Sequence, residues 1–185
     1  TFQNIRLFSE LTVLDNVRIA FHDHVKYGVA EAVLRVGRYF SEEARVTAES
    51  RELLSIFKLA DQAEETAKNL PYGAQRRLEI ARALAAKPKL LLLDEHTAAL
   101  DPKTAEQVLS LTMDIVGKRR LTTLMITHNM RDALRCGNRL IMMYDGRLLI
   151  DVAGEEKKNL KVPDLLAMFE KAAGSELDSD SLLLN

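Results

Sequence analysis

Two adjacent carboxylates, Asp94 and Glu95, follow the apolar run Leu-Leu-Leu-Leu at residues 90–93. A continuous apolar run that ends directly in charge is typical of a strand buried on both faces of a parallel sheet, with its carboxyl end at a ligand site. Paired carboxylates there can divide the work of nucleotide hydrolysis: Asp94 would hold Mg²⁺, and Glu95 would accept a proton from the attacking water. The pair alone also fits a strand that merely ends at solvent, so the neighbouring residues decide between the two interpretations.

Three further polar or small residues stand where helices and strands are expected to begin or end. Gly73 precedes a run of strong helix formers at residues 75–87. Asp101, followed by proline, has the pattern of a helix N-cap. His128 follows a second apolar run at residues 121–126, which we interpret as another buried strand. A lone histidine in such a place is more often a satisfied polar residue than a functional one.

The elements that must position these residues alternate between strand and helix. Residues 1–69 favour helices, the clearest at 41–59, whereas 22–38 predict only loop or weak helix. Further on, the pattern predicts a short helix at 130–135, a hairpin at 139–152 around an Asp-Gly pair and a tail helix at about 162–172. The order strand, helix, strand, helix indicates an α/β fold, in which ligand groups gather at the carboxyl ends of strands.

Five short motifs occur in one order along the chain: Thr-Phe-Gln at 1–3, Leu-Pro-Tyr-Gly-Ala-Gln-Arg-Arg at 70–77, Asp-Glu at 94–95, Ala-Leu-Asp at 99–101 and Thr-His at 127–128. In this order they resemble the nucleotide-binding subunit of ATP-binding-cassette (ABC) transporters, and the resemblance covers nearly the whole chain. The part before about residue 88 is similar to branched-chain amino-acid importer ATPases. The part after residue 95 is similar to an ATPase of uncharacterised amino-acid-type importers. The resemblance implies an incomplete α/β, P-loop NTPase-like fold, with the helical subdomain and the C-terminal part of the parallel-sheet catalytic core.

The resemblance also implies a role for each matching residue. Gln3 would contact Mg²⁺ and couple the site to a membrane partner. Gly73, with Gln75 beside it, would approach the nucleotide held by a second subunit, because a glycine and a helix N-terminus allow close approach to phosphate. Asp101 would lie at the dimer interface as well as capping its helix. His128 would reach the γ-phosphate of ATP.

The sequence departs from the family pattern at several points. Pro71 stands where the family has a serine, and Ala74 where it has a glutamine, so two contacts to phosphate or partner are missing. His96 replaces a common proline. The 185 residues contain no Gly-rich loop ending in Gly-Lys-Ser or Gly-Lys-Thr. Because the family places that loop before the glutamine of the first motif, we expect this chain to be a fragment that begins downstream of it.

The resulting prediction is ATP binding and hydrolysis that powers an importer of amino acids, with ATP and Mg²⁺ as cofactors. The partners implied are transmembrane permease subunits, a second ATPase subunit met head to tail and, indirectly, a substrate-binding protein, on the cytoplasmic face of the membrane. The alternative is a fragment or degenerate subunit without the phosphate-binding loop, acting only as an interaction module. The expected division is 1–69 for the first motif and helical subdomain, 70–152 for the signature motif and catalytic core, and 153–185 for the C-terminal helix and tail.

Composition excludes several other classes of protein. Hydrophobic residues make up 47% of the 185, which is ordinary for a globular domain. The formal net charge of -1 does not suggest a nucleic-acid partner, and a DNA-repair relative of the same family is disfavoured for that reason. The single cysteine, Cys136, cannot form an intrachain disulfide or a thiolate zinc site. No apolar run reaches the roughly 20 residues of a membrane span.

Overall fold

The computed structural model describes the backbone of residues 7–98 and 100–183, and the side chains of residues 7–98 and 100–172. The helices are α1 (Val13–Ala20), α2 (Val29–Leu34), α3 (Tyr39–Ile56), α4 (Tyr72–Ala85), α5 (Pro102–Arg119), α6 (Met130–Arg135), α7 (Gly154–Asn159) and α8 (Val162–Leu183). The strands are β1 (Leu90–Asp94), β2 (Thr122–Ile126), β3 (Arg139–Tyr144) and β4 (Arg147–Ala153). Short 3₁₀ turns lie at His22–His24, Ala60–Gln62 and Ala67–Asn69. The predicted α/β class is confirmed.

The chain forms two compact units, Thr1–Leu124 and Met125–Asn185. The finer division at residues 69 and 152 stays a prediction.

Helices α1, α3 and α4 pack on one another and form the core of the first unit. Their apolar faces supply its largest fully buried side chains, among them Val13, Val17, Leu53, Leu54, Leu78 and Leu84. Asn16 is buried among them, and its amide group is satisfied: Oδ1 accepts from the backbone N–H of Phe8, and Nδ2 donates to the carbonyls of Phe8 and Thr12. A buried amide with three such bonds fixes the segment that leads into α1 without an unpaired polar atom.

The sheet of β1 and β2 differs from the sequence-based expectation in its burial. Strands β1 and β2 pair in a two-stranded parallel sheet. In β1, Leu91 and Leu93 are buried, but Leu90 and Leu92 are 58% and 60% exposed. Burial on both faces was therefore wrong for this strand, because successive side chains point to opposite faces and only one face is covered. Strand β2 is likewise only partly buried, with an alternating pattern of exposed and half-buried residues.

The second unit is built on the predicted hairpin, which is confirmed. Strands β3 and β4 pair antiparallel from Arg139–Ala153 to Tyr144–Arg147, and Asp145 and Gly146 both have positive φ, as a two-residue turn of the primed type requires. Leu140, Ile150, Val152 and Leu165 form its buried cluster. The only strongly buried lysine among the described side chains, Lys157, donates to the carbonyls of Leu134, Cys136 and Gly137 at 2.7, 2.7 and 3.1 Å, so it closes the C-terminal end of α6.

Residues 22–38, predicted as loop or weak helix, contain a 3₁₀ turn and the six-residue helix α2, in agreement with the prediction. The tail helix differs from its prediction. Helix α8 does not end near residue 172 but continues to Leu183, since no proline follows Pro163 to stop it. No described helix is long and apolar enough to cross a membrane.

Candidate functional site

A cavity of about 430 Å³ opens at the beginning of α4, within the first unit. Gly73, Arg77 and Asp101 are among its lining residues. The cavity therefore brings together two of the predicted site residues, from two motifs that are 28 positions apart in the sequence (101 minus 73). The N-terminal turn of α4 leaves backbone N–H groups without partners inside the helix, and these favour an anion in the cavity.

Gly73 packs against the first turn of α5. A Cβ atom added at Gly73 would come within 2.5 Å of the Thr104 methyl carbon Cγ2 and within 3.8 Å of Leu100 Cδ2. No positive φ is present at this glycine. Within this chain, close packing against Thr104 therefore explains why residue 73 is a glycine. A contact of Gly73 with phosphate would be a second reason.

Arg77 is the cavity residue that sequence reasoning missed. Its Nε atom is buried without a hydrogen-bond partner among the described residues, and burial lowers the pKa of its guanidinium. Arg77 lies one helical turn after Gly73, on the same face of α4, and this i, i+4 spacing was the signal that could have found it. The cavity wall thus carries the positive charge of Arg77 beside the N-terminus of α4.

Gln75, which does not line the cavity, and Asp101, which does, both make local bonds. Gln75 Nε2 donates to the Leu70 carbonyl at 2.8 Å and so holds the turn that leads into α4. The Asp101 carboxylate accepts from the Thr104 N–H at 3.0 Å, which confirms the predicted N-cap of α5. Hydrogen bonds from the Thr104 side chain and backbone lower the pKa of Asp101, so it is ionised at neutral pH. A role for Asp101 at a subunit interface stays a prediction.

Asp94 and Glu95 end β1 as the sequence predicts, in two different settings. Asp94 is exposed and is the last residue of the strand. Glu95 is half-buried and has φ of +42°, in the left-handed region that few residues other than glycine adopt. Its carbonyl accepts from the Ala98 N–H at 2.9 Å, which closes a turn directly after the strand. Such a backbone conformation is more frequent at functional sites, where surrounding contacts hold it in place.

His96 follows Glu95 and points to the interior. The side chain is buried, its Nε2 atom has no partner among the described residues, and burial together with the charge of Arg76 lowers its pKa to about 4. The imidazole is therefore neutral at physiological pH. Arg76 itself is held by Glu79 at 2.7 Å and by the Tyr72 hydroxyl at 2.8 Å.

The remaining predicted residues lie elsewhere. His128 belongs to the second unit, where it is exposed and follows β2, directly before the Asn129 cap of α6. Gln3 lies outside the described residues. Within the described ranges no cluster of three or more His, Cys, Asp or Glu side chains could hold a metal ion. The exposed carboxylate of Asp94 is the kind of oxygen ligand that Mg²⁺ takes singly, with water and phosphate oxygens completing its shell, so the residue fits that ion.

Comparison with known proteins decides the family. The sequence profile of the ABC transporter family matches residues 1–98, which is more than half of the 185 residues. The chain belongs to the ABC transporter family.

Curated relatives in this family include ATP-binding proteins of amino-acid transport systems. The chain is 32% identical over 169 residues to the high-affinity branched-chain amino acid transport ATP-binding protein LivG of Salmonella typhimurium, a match that covers 91% of the chain and 66% of LivG. It is 50% identical over 100 residues to the tyrosine transport ATP-binding protein of Clostridioides difficile, covering 54% of the chain and 40% of that protein. The chain therefore spans between 40% and 66% of the length of these two relatives.

Solved structures of ABC cassettes have the same fold. One is a dimeric ATP-binding cassette in a post-hydrolysis state bound to ADP and Pi, with a TM-score of 0.64, 28% identity and coverage of 82% of this chain and 60% of that one. Another is a cassette of an ABC transporter in its ADP conformation, with a TM-score of 0.64, 26% identity and coverage of 87% and 63%. These neighbours confirm the predicted P-loop NTPase-type fold.

Proposed function

We propose that this chain is part of an ATPase subunit that hydrolyses ATP to drive the import of an amino acid. The observation that carries the proposal is the end of β1, where an exposed carboxylate, Asp94, is followed by a half-buried one, Glu95, held in a left-handed backbone conformation. Membership of the ABC transporter family and relatives named for the transport of branched-chain amino acids and tyrosine support the substrate class.

The two carboxylates have separate tasks in this reaction. Asp94 Oδ atoms would hold Mg²⁺, and the ion supplies positive charge that offsets the charge on the phosphates. Glu95 would orient the attacking water and take its proton on a carboxylate oxygen, while His128 would hydrogen-bond the γ-phosphate. The turn closed by the Ala98 N–H fixes the backbone of Glu95, which keeps the base in one position as the reaction requires.

The cavity at the start of α4 would face the nucleotide of a second subunit. Its anion-favouring groups are the N-terminus of α4 and the cation Arg77. A related cassette was solved as a dimer with ADP and Pi, which supports a head-to-tail pair in which Gln75 and Asp101 stand next to the same site. Gln3 would contact the ion and connect the site to the permease.

The proposed setting is the cytoplasmic face of the membrane, where the subunit binds transmembrane permease subunits and acts with a substrate-binding protein. The relatives' names as ATP-binding proteins of transport systems support this assignment.

The experiment is Glu95→Gln in the complete subunit, meaning this chain together with a phosphate-binding loop encoded ahead of Gln3. We expect hydrolysis to fall by roughly 10² to 10⁴ fold, with Mg-ATP binding retained, because the carboxylate accepts a proton and does not hold the nucleotide. The matched control is Glu156→Gln, an exposed glutamate in α7, which should leave both quantities unchanged. Hydrolysis within a few fold of the parent would show that Glu95 is not the base.

The alternative function is an interaction module, for which the cavity at the start of α4 would suffice without the carboxylates. Such a module would donate only the Gly73 face to a complete subunit. The two functions separate in the Glu95→Gln experiment together with Gly73→Leu. Loss of hydrolysis in both variants indicates an ATPase, whereas hydrolysis that depends on Gly73 and not on Glu95 indicates a module.

A further inference from the structure

The segment from residue 26 to 40, within the first unit, exposes more large apolar surface than its neighbours. Val29, Val33, Leu34 and Phe40 are 83%, 75%, 68% and 65% exposed, and Val36 is exposed as well. A soluble protein tolerates single exposed apolar residues, but a contiguous group of them marks a surface that another body covers. We call this group, with the cations described next, the 26–40 surface.

The exposed charges of the 26–40 surface are all positive. Lys26, Arg35 and Arg38 are exposed, and neither arginine has an ion-pair partner within the part of the chain that the structure describes. The only acid in the segment, Glu31, is half-buried and accepts from the Gly28 N–H at 3.0 Å. The surface is therefore apolar and cationic, with no exposed acid.

The nearby acids that could neutralise these cations already have partners. Glu42 binds Arg45 at 2.8 Å, and Glu43 binds Arg18 at 2.6 Å and accepts from the Tyr27 hydroxyl at 2.7 Å. The nearest exposed acid before the segment is Asp23. Arg35 and Arg38 are thus left to an external anion.

The 26–40 surface also contains aromatic side chains. Tyr39 packs against Tyr27 with 5.3 Å between ring centroids and against Phe40 with 5.4 Å. Rings of this kind favour the region between lipid headgroups and acyl chains, where an apolar body and a polar edge are both satisfied. Segments that bind a bilayer surface combine the same features, namely apolar and aromatic side chains beside unpaired Lys and Arg.

We propose that the 26–40 surface contacts anionic phospholipid, with Arg35 and Arg38 against the headgroup phosphates and Val33, Leu34 and Phe40 in the interfacial layer. Charge complementarity selects this occupant, because a bilayer with anionic lipid presents negative charge directly above an apolar layer. The contact goes beyond the proposed function, since it requires neither nucleotide nor permease.

The test is flotation of the 185-residue chain with vesicles of phosphatidylcholine alone or of phosphatidylcholine mixed with phosphatidylglycerol, without nucleotide. Flotation separates vesicle-bound protein from aggregates, which sediment. We expect the parent chain to float with the anionic vesicles and not with the neutral ones, and added salt to weaken the association.

Three double variants locate the contact. Arg35→Gln with Arg38→Gln should weaken vesicle binding about 25-fold, the product of about fivefold for each basic residue near an anionic surface. Val33→Ser with Leu34→Ser should weaken it by a comparable amount. The control is Arg131→Gln with Lys161→Gln, which removes two exposed cations of the second unit and so changes the net charge as much as the Arg35 and Arg38 variant does. It should leave vesicle binding within twofold of the parent. All these side chains are exposed, and circular dichroism checks that each variant keeps the parent's helix content.

Equal binding to neutral vesicles, or equal loss in the control variant, would overturn the proposal, because the association would then not depend on this surface. A folded chain that floats with neither vesicle would also overturn it and would leave a protein, such as a permease loop, as the partner. None of these outcomes bears on ATP hydrolysis, so failure here is distinguishable from failure of the proposed function.

Discussion

Replacing Gly73 with alanine tests the packing of α4 against α5. The new Cβ would lie 2.5 Å from Thr104 Cγ2, about 1 Å closer than carbon atoms pack without repulsion. Thr104 cannot simply turn away, because its side chain and its N–H both hydrogen-bond the Asp101 carboxylate and its β-branch restricts rotation.

Two opposing contributions set the expected size of the effect. Overpacking typically costs about 1–3 kcal/mol. An alanine in place of a glycine inside a helix gains about 0.5–1 kcal/mol. We therefore expect Gly73→Ala to lower the free energy of unfolding by about 1–2 kcal/mol. Thr104→Ser removes the methyl group and keeps the hydroxyl. In the Thr104→Ser background the clash is absent, so Gly73→Ala should stabilise the chain through the higher helix propensity of alanine.

The assay is urea unfolding of the parent, both single variants and the double variant, which gives the coupling between the two positions. A coupling of about 2 kcal/mol is expected from these contributions. No coupling, or a Gly73→Ala chain more stable than the parent, would refute the packing argument. Once the clash is relieved, any remaining loss of hydrolysis in the complete subunit would report the contact of Gly73 with phosphate.

Three further predictions concern single side chains. Asp101→Ala should lower the urea midpoint of unfolding and Asp101→Asn should not, because asparagine can still cap α5. Lys157→Met should cost about 2 kcal/mol in urea unfolding, since three carbonyls lose a charged donor, whereas Lys158→Met, in an exposed ion pair, should cost under about 0.5 kcal/mol. His96 has a folded pKa of about 4, below its unfolded value, so the unfolded chain binds more protons and stability falls as the pH falls. In the metal-free chain urea unfolding should show about 2 kcal/mol lost between pH 7 and pH 5 and a weaker pH dependence in His96→Gln, and an equal dependence in both chains would contradict the assignment to His96.

Local sequence patterns predicted the features that depend on neighbours along the chain. The helix predicted at residues 75–87 is α4, the Asp-Gly turn joins β3 to β4, and Asp101 caps α5. Each rests on interactions within a few residues, such as a cap, a turn dihedral or an i, i+4 face. The position of Asp94 and Glu95 at the end of β1 was predicted in the same way, from an apolar run that ends in charged residues.

Features that depend on distant residues were not predictable from the sequence. The exposed face of Leu90 and Leu92 depends on what covers the sheet, which an apolar run does not specify. The need for glycine at residue 73 comes from Thr104, a residue of another helix. The burial of His96 depends in the same way on residues brought together by the fold.

In the proposed function this chain carries the carboxylates and the Gly73 face of an ATPase, while the 185 residues include no Gly-rich phosphate-binding loop. Calorimetric titration of the purified chain with Mg-ATP tests this division most directly. No saturable heat is expected, because Asp94, Glu95 and Asp101 present negative charge to the nucleotide and no Gly-rich loop with its lysine is present to offset it. Saturable binding in the micromolar range would contradict it and would show that another part of the chain holds the phosphates.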